Sequence, residues 1–218
     1  MKSIRVFVVE DQPKILKSLL KLLRKRRELE LVGQALSAEE ALERLEQAAP
    51  EVVLLDLGLP GMNGIDATRS IKERWPKMEV LIFTVFDEEE KVLQAIGAGA
   101  SGYLLKGMEP DKIVEAIREV HEGGSVIQPS LARSLLRHFQ KQPASNQNSE
   151  QPAASLTLRE TEILQMIAKG LSNSEVARVL SISRTTVRTH LEHIYQKLSV
   201  TNRVEAITEG IRQGLIDV

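Results

Sequence analysis

The sequence predicts a doubly wound α/β domain with five parallel strands, followed by a small all-helical domain. Two observations support this prediction. In the first 125 residues, short apolar runs alternate with amphipathic stretches, which is the order expected of a parallel sheet with helical crossovers. From residue 156 onward no strand-like run occurs, and helix-start signals follow closely on one another. A chain of 218 residues has room for two cores of modest size.

The spacing of apolar residues predicts the elements of the first domain. Its helices carry apolar residues three or four positions apart, as at Ile15, Leu19 and Leu22. Its strands are short apolar runs, as expected where both faces of a sheet are covered. The predicted strands cover residues 4–9, 29–36, 52–57, 80–85 and 102–105.

The helical domain is predicted from its capping signals. A Ser or Thr followed three residues later by Glu allows each side chain to bond the other residue's backbone at a helix start. We expect helices near residues 158–169, 173–180, 184–198 and 202–213. The signals are Thr157 with Glu160, Ser172 with Glu175, and the related pair Asn202 with Glu205.

The segment between the two domains is predicted to be a linker. Residues 131–140, LARSLLRHFQ, have the composition of a short helix. Residues 141–155, KQPASNQNSEQPAAS, contain almost no large apolar side chain, so we expect a flexible polar stretch. The predicted boundaries are a first domain at 1–125, a linker at 126–155 and a helical domain at 156–218.

Composition excludes several classes of protein. The chain has no cysteine, which excludes disulfides and thiolate chemistry. No stretch approaches the roughly 20 apolar residues of a membrane span, and the first residues become acidic too early for a signal peptide. We therefore expect a soluble, cytoplasmic protein. Residues 156–218 carry eight basic and seven acidic groups, so support for nucleic-acid binding must come from local placement.

Polar residues stand where the predicted strands end. In VVLLDLGLPGMNG, residues 52–64, an acidic residue follows four apolar ones, and alone Asp56 is best interpreted as a turn residue. Taken singly, its counterparts on other strands also have ordinary roles, as helix-start acids, a strand threonine and a solvated lysine. Taken together, Asp56 and these counterparts are expected to lie close to one another, because parallel strands end at the same edge of a sheet. The counterparts are Glu10 and Asp11, Thr84, and Lys106.

This set of side chains favours phosphoryl transfer to a carboxylate. Three carboxylates from two strands suit a hard cation such as Mg²⁺, which takes oxygen ligands. If Asp56 is a nucleophile toward a phosphoryl donor, Mg²⁺ offsets charge on the phosphoryl oxygens. Lys106 then pairs with another oxygen, and the Thr84 hydroxyl donates a hydrogen bond.

Over about residues 3–122 the sequence resembles the receiver domain of bacterial two-component response regulators, which has a flavodoxin-like fold. The motifs that carry the resemblance are VVED, LLDLGLPGMNG, FTVF and AGASGYLLKG. The resemblance implies that a histidine kinase phosphorylates Asp56 and that Thr84 and Lys106 sense the phosphoryl group. It also implies that Glu10, Asp11, Asp56 and the Gly58 carbonyl hold Mg²⁺.

The resemblance further assigns a switch residue, and this sequence differs from the family pattern at two positions. Tyr103 matches the family's switch aromatic, which moves between outward and inward rotamers as Thr84 engages the phosphate. The acid pair is Glu-Asp where many relatives have two aspartates, which should be tolerated. Lys106 precedes Gly107 where many relatives have proline, which argues against a cis-proline at that turn.

Two rival interpretations of the first domain fail. GAGASG, residues 97–102, spells G-x-G-x-x-G, but a dinucleotide fingerprint follows a strand and opens a helix, whereas this segment closes a helix and opens a strand. Phosphatases with an aspartate nucleophile resemble D-x-D-x-T, with the second acid acting on the leaving group. Gly58 stands at that second position. We therefore expect no enzyme, beyond acceptance of a phosphoryl group and slow self-dephosphorylation.

The C-terminal sequence contains a candidate helix-turn-helix. In NSEVARVLSISRTTVRTHLEHIYQKL, a short helix and a longer one flank SIS, and Ala177, Val187 and Leu191 suit a tight helix crossing. Arg binds guanine edges or phosphate, and Thr binds phosphate or packs on a thymine methyl. A solvated helix face is the ordinary interpretation of such a motif standing alone. The polar residues near the start of the longer helix are Arg184, Thr185, Thr186, Arg188, Thr189 and Glu192.

From Leu156 to Ile207 the sequence resembles the LuxR-type DNA-binding domain, so the whole chain is similar to a NarL/FixJ-type response regulator. The resemblance implies that Arg188 and Thr189 face base edges. Glu192 is a departure from relatives with a basic residue there, and would repel phosphate or accept a hydrogen bond from cytosine. The resemblance places Thr186, His190 and Lys197 near the DNA backbone or in support of the helix, and Val204, Ile207 and Ile211 in a dimer contact.

These observations predict a DNA-binding response regulator whose phosphorylation controls dimerisation and promoter binding. The expected partners are a sensor histidine kinase, double-stranded promoter DNA and, dependent on phosphorylation, a second copy of the chain. A second interpretation is that the helical domain binds protein instead of DNA. A third, with Asp56 as the nucleophile of an enzyme that turns over a substrate, ranks below both.

Overall fold

The computed structural model describes residues 3–127 and 156–217. Their first part contains one sheet with the strand order β2-β1-β3-β4-β5-β6, in which every neighbouring pair is parallel. Neighbouring strands that are not consecutive in sequence make the sheet doubly wound. The strands are β1 (Ile4–Val9), β2 (Leu29–Ala35), β3 (Val52–Leu55), β4 (Glu79–Thr84), β5 (Gly102–Leu105) and β6 (Val126–Ile127).

Helices cover both faces of the sheet. On one face, α1 and α5 pack on alternate strand residues such as Val6, Val8 and Leu54, because successive side chains of a strand point to opposite faces. The remaining three helices cover the other face. The five helices are α1 (Pro13–Arg24), α2 (Ala38–Ala48), α3 (Gly64–Arg74), α4 (Glu89–Gly97) and α5 (Pro110–His121).

The predicted fold class is confirmed, with one strand more than expected. All five predicted strands occur, and β1 and β5 have the predicted bounds. The sixth strand, Val126–Ile127, pairs with Gly102 and Tyr103 of β5. Two residues are too few to show a period in the sequence, so this strand could not be predicted from the apolar pattern. The predicted short helix at 131–140 and the polar stretch at 141–155 lie outside the described residues.

The second part of the described chain is a compact helical unit distinct from the sheet. Each predicted helix occurs within two residues of its expected bounds. The capping boxes at Thr157 and Ser172 are both formed, and Asn202 accepts a hydrogen bond from the Glu205 amide. The helices are α6 (Leu158–Ala168), α7 (Asn173–Val179), α8 (Arg184–Leu198) and α9 (Arg203–Arg212).

Within the described ranges, none of the helices has both the length and the apolar character needed to cross a membrane.

Gly64 provides a test of how tightly the strand ends are packed. A Cβ at this position would collide with the Asp56 carbonyl oxygen and lie 2.7 Å from Leu57 Cα. Backbone atoms cannot move aside as the end of a long side chain can, so we expect Gly64→Ala to lower the free energy of unfolding by about 1–3 kcal/mol. Denaturant unfolding measures this change.

The matched control is Gly97→Ala at the end of α4. Apart from its chain neighbours and the backbone of its own helix, no atom of the described residues lies within 4 Å of the position that its Cβ would take. Because alanine restricts the unfolded chain more than glycine does, this variant should be neutral or more stable by up to about 1 kcal/mol. An equal loss in both variants would contradict the packing argument.

Candidate functional site

The structure brings the predicted strand-end residues together at one edge of the sheet. Glu10 and Asp11 follow β1, Asp56 follows β3, Thr84 ends β4, and Lys106 follows β5. The parallel register aligns these ends, with Val9 beside Leu55 in the ladder between β1 and β3. Glu10 is 1% exposed, Asp56 3% and Thr84 0%. The site is therefore largely removed from water.

Lys106 lies between two buried carboxylates. Its Nζ is 2.8 Å from Asp56 Oδ2 and 2.7 Å from Glu10 Oε2. The Glu10 Oε1 atom also accepts the Gln12 amide at 3.2 Å. Burial raises the pKa of the Glu10 carboxyl, and the contact with Lys106 opposes that rise without reversing it. One ammonium group thus serves two carboxylates that have little other compensation.

Several acceptors at this edge lack hydrogen-bond partners. Within residues 3–127, the Oδ1 atoms of Asp11 and Asp56 and the Thr84 hydroxyl are buried without one. One carboxylate oxygen each from Glu10, Asp11 and Asp56 lie within 4.8 Å of one another. Burying such groups without a partner is costly, and three carboxylates outnumber the single lysine. The acidic cluster therefore fits a hard divalent cation, which binds carboxylate oxygens and retains waters.

The sequence patterns did not predict an aromatic contact that lies beside Asp56. The Phe86 ring lies 3.4 Å from where a Cβ of Gly58 would be. Lys91 Nζ lies 3.3 Å from the centroid of that ring, a cation–π contact. The segment FTVF contains Phe86, but neither its period nor its composition marks the ring as part of a site.

Tyr103 is turned inward. Its side chain is fully buried, and its hydroxyl donates a 2.9 Å hydrogen bond to the Phe86 carbonyl oxygen. Burial raises the pKa of the phenol well above its ordinary value, so the hydroxyl remains a donor. The sequence-predicted switch residue therefore contacts the segment that follows Thr84.

In the helical unit, α7 and α8 form the expected helix-turn-helix. Ser181 between them has a φ of +53°, which reverses the chain direction in a short distance. Ala177, Val187 and Leu191 are buried at the crossing, as predicted. The Ser183 hydroxyl caps α8 by accepting from the Thr186 amide at 3.0 Å. The side chains of Arg184, Thr185, Thr186 and Thr189 are exposed, and those of Arg188, His190, Glu192 and Lys197 are half-buried.

Ion pairs at Arg188 and Lys197 of α8 qualify the contacts predicted for these two residues. Arg188 Nε lies 3.6 Å from Glu192 Oε1, one helical turn later. Lys197 Nζ lies 2.7 Å from Oε2 of the buried Glu160 in α6. The second pair joins two helices, so the geometry favours support of the helix over phosphate contact for Lys197.

The three residues predicted for a dimer contact have different surroundings. Ile207 packs against the core of the helical unit. Val204 is half-buried, and Ile211 is 43% exposed. Ile207 is half-buried like Val204, so each of the three retains some surface, and Ile211 retains the most.

Two family models match the chain. The response regulator receiver domain matches residues 6–118, and the bacterial regulatory proteins of the luxR family match residues 154–209. A receiver joined to a LuxR-type domain defines the class of DNA-binding transcription regulators in two-component systems. The chain belongs to this response regulator family, as both matches and the relatives described next show.

Similar proteins cover nearly the whole chain. The transcriptional regulatory protein DegU of Brevibacillus brevis is 33% identical, over 99% of this chain and 96% of its own length. The nitrate/nitrite response regulator NarL of Escherichia coli is 33% identical, with 92% of each chain covered. A crystal structure of the response regulator ChrA from a heme-sensing two-component system is 35% identical. It covers 99% of this chain and 100% of its own, with a TM-score of 0.53.

The ion pair between the buried Glu160 and the half-buried Lys197 predicts a loss of stability in acid. Burial alone would raise the pKa of Glu160, but hydrogen bonds from Lys197 and Thr157 outweigh it and lower the pKa from 4.5 to about 2. The stabilisation is therefore complete above pH 4.5 and is lost as the pH falls toward 2. Its size is about 3 kcal/mol, from roughly 1.4 kcal/mol per pKa unit.

We expect Glu160→Gln to flatten the pH dependence of unfolding in the helical unit between pH 4.5 and pH 2. Amide hydrogen exchange in α6 and α8 measures this locally. The control is Glu162→Gln, which alters a carboxylate on the same helix that pairs with Arg159 near the surface. Equal pH profiles for the wild type and Glu160→Gln would contradict the role of the pair.

Proposed function

We propose that Asp56 accepts a phosphoryl group from a histidine kinase. The observation that carries this proposal is the asymmetry of its carboxylate. Oδ2 is held by Lys106 at 2.8 Å, whereas Oδ1 is buried without a hydrogen-bond partner among the described residues. The first contact orients the group, and the second oxygen keeps its lone pairs for attack. In the transfer, an Asp56 oxygen bonds to phosphorus while the bond from phosphorus to the kinase histidine breaks.

The acidic cluster is proposed to bind Mg²⁺. Glu10, Asp11, Asp56 and the carbonyl of Gly58 would hold the ion, in agreement with the unpartnered carboxylate oxygens. When bound, Mg²⁺ neutralises charge that develops on the transferring group. The protein's own contribution is a buried, oriented carboxylate and a fixed ammonium group.

Lys106 and Thr84 are proposed to hold the phosphoryl group after transfer. Lys106 already lies at Asp56 Oδ2 and would pair with a phosphoryl oxygen. The Thr84 hydroxyl has no hydrogen-bond partner in the described structure, so it would donate to another oxygen without breaking an existing bond. Movement at Thr84 would reach Tyr103 through Phe86, whose carbonyl the tyrosine binds. Phosphorylation then favours one of two receiver conformations.

The helical unit is proposed to bind promoter DNA through α8. Arg188 and Thr189 would face base edges, with Glu192 placed to accept from cytosine. The sugar-phosphate backbone of the DNA would contact the N-terminus of α8, because the amides at the start of a helix favour phosphate binding. The residues proposed for that contact are Arg184, Thr185, Thr186 and His190, while Lys197 supports the helix. Val204, Ile207 and Ile211 on α9 would contact a second copy of the chain, with Ile207 also part of the core.

The proposed division of the chain follows from these roles. Residues 1–125 form the phosphoacceptor domain, 126–155 the linker and 156–218 the DNA-binding domain. The chain does not turn over a separate substrate in this proposal, since no second acid stands at Gly58 to protonate a leaving group. It accepts a phosphoryl group, hydrolyses it slowly and changes its affinity for a second copy and for DNA.

Asp56→Asn should abolish phosphorylation. The amide oxygen is a poor nucleophile, so incubation with Mg²⁺ and a small acyl phosphate should add no phosphoryl group, as measured by intact-protein mass. Asp66→Asn is the control, because Asp66 lies on α3 and its carboxylate is exposed and paired with Arg69. Phosphoryl uptake by Asp56→Asn at the wild-type level would refute the assignment.

Arg188→Ala should weaken specific DNA binding by about 1–3 kcal/mol. The measurement uses duplexes selected from a random pool by the phosphorylated wild-type protein, compared with unselected duplex of equal length. Lys169→Ala is the control, since Lys169 is an exposed cation after α6 and outside the proposed contact. Loss of affinity for both kinds of duplex alike would make Arg188 a phosphate contact. No duplex binding by the wild type at low salt would instead favour a protein partner.

A further inference from the structure

The loop between β3 and α3 is held at both ends. It covers residues 56–63 and carries Gly58, whose carbonyl is a proposed metal ligand. The Leu57 carbonyl accepts from the Gly64 amide at 3.1 Å. At the far end, the Asn63 side chain caps α3 by accepting from the amides of Ile65 and Asp66. These bonds fix where the loop begins and ends.

Glu39 of α2 binds the loop near its far end, directly before Asn63. Its Oε1 atom accepts the Met62 amide at 2.8 Å, across 23 residues of sequence. Gly61, directly before Met62, has a φ of +74°, and a Cβ there would lie 2.5 Å from the same carboxylate oxygen. Only glycine therefore lets the carboxylate approach this turn so closely. The hydrogen bond from Met62 lowers the pKa of Glu39, so the charged form makes the contact.

Ser37 and Glu40 make the main capping bonds at the start of α2. The Ser37 hydroxyl accepts from the Glu40 amide at 3.2 Å and caps the helix. The Glu40 carboxylate accepts from the Leu36 amide at 2.8 Å and pairs with Arg44 at 2.7 Å. Glu40 thus supports its own helix, whereas Glu39, which also contacts Ser37, reaches the loop that follows Asp56.

We propose that Glu39 is a positioning residue for the metal site, because it holds the loop that presents the Gly58 carbonyl. It touches neither the cation nor the phosphoryl group and acts through the Met62 amide. The inference rests on the proposed role of Gly58 as a ligand. A carbonyl on a loop that a second element also restrains loses less freedom when a cation binds than one on a loop held only by its own backbone and capping bonds.

The test is titration of the full-length chain with Mg²⁺ alone, followed by amide NMR. Glu39→Ala should weaken Mg²⁺ binding about tenfold, the lower end of the loss seen when groups that orient metal ligands are removed. Glu39→Gln keeps a side-chain oxygen that can accept from Met62, and should recover most of the affinity. Hydrogen exchange at the Met62 amide should be fast in Glu39→Ala and protected in Glu39→Gln.

Two controls separate positioning from general loss of structure. Glu43→Ala removes an exposed charge from the same helix and should leave Mg²⁺ affinity unchanged. Glu40→Ala weakens the start of α2 and should also leave the Mg²⁺ affinity unchanged. Wild-type affinity in Glu39→Ala, or an equal loss in Glu40→Ala, would overturn the inference. If Asp56→Asn took up phosphoryl groups while Glu39→Ala still lost Mg²⁺ affinity, the proposed phosphoacceptor would fail and the role of Glu39 would stand.

Discussion

The position of Lys106 between Asp56 and Glu10 is the constraint on which the site depends. The lysine is 50 residues from one carboxylate and 96 from the other along the chain, and only the sheet brings the three together. Strands β1 and β3 are neighbours, β4 adjoins β3, and β5 adjoins β4. Exchanging any two of these strands, or moving one by a residue, would separate the ammonium group from a buried carboxylate. The fold is therefore also the means by which the charges are balanced.

The charge of the three carboxylates is only partly balanced by Lys106, and the packing around the site keeps water from completing that balance. The strands that carry the site are buried on both faces, so water cannot easily replace the missing partners of Asp11, Asp56 and Thr84. A close-packed sheet edge resists collapse around such groups. The same packing links the site to Tyr103, because the Phe86 carbonyl that binds the tyrosine belongs to the segment following Thr84. A change of charge at Asp56 thus acts on residues that have few alternative arrangements.

Most of the fold could be predicted because apolar runs mark buried strands and capping residues mark helix starts, as at Thr157. Asp56 alone has the pattern of a turn residue, and it was singled out because polar residues also follow or end β1, β4 and β5, whose ends a parallel sheet brings to one edge. The contacts that were missed join residues far apart without a shared pattern. Glu39 with Met62 and Lys197 with Glu160 depend on how helices lie against other elements, and no period in the sequence reports that. The strand Val126–Ile127 was missed for a different reason, since its pairing with β5 needs only two residues.

Thermodynamic linkage connects cation binding at the acidic cluster with phosphorylation of Asp56. A cation that binds the acidic cluster more tightly when Asp56 carries a phosphoryl group must, by reciprocity, stabilise the phosphorylated form by the same factor. A group that holds the Gly58 carbonyl before the cation arrives lowers the entropy lost on binding. In the proposed mechanism, Glu39 therefore bears on how readily the cation site is filled, without touching the phosphoryl group. Its carboxylate, exposed and 23 residues from the amide that it binds, would affect the metal site through the loop alone.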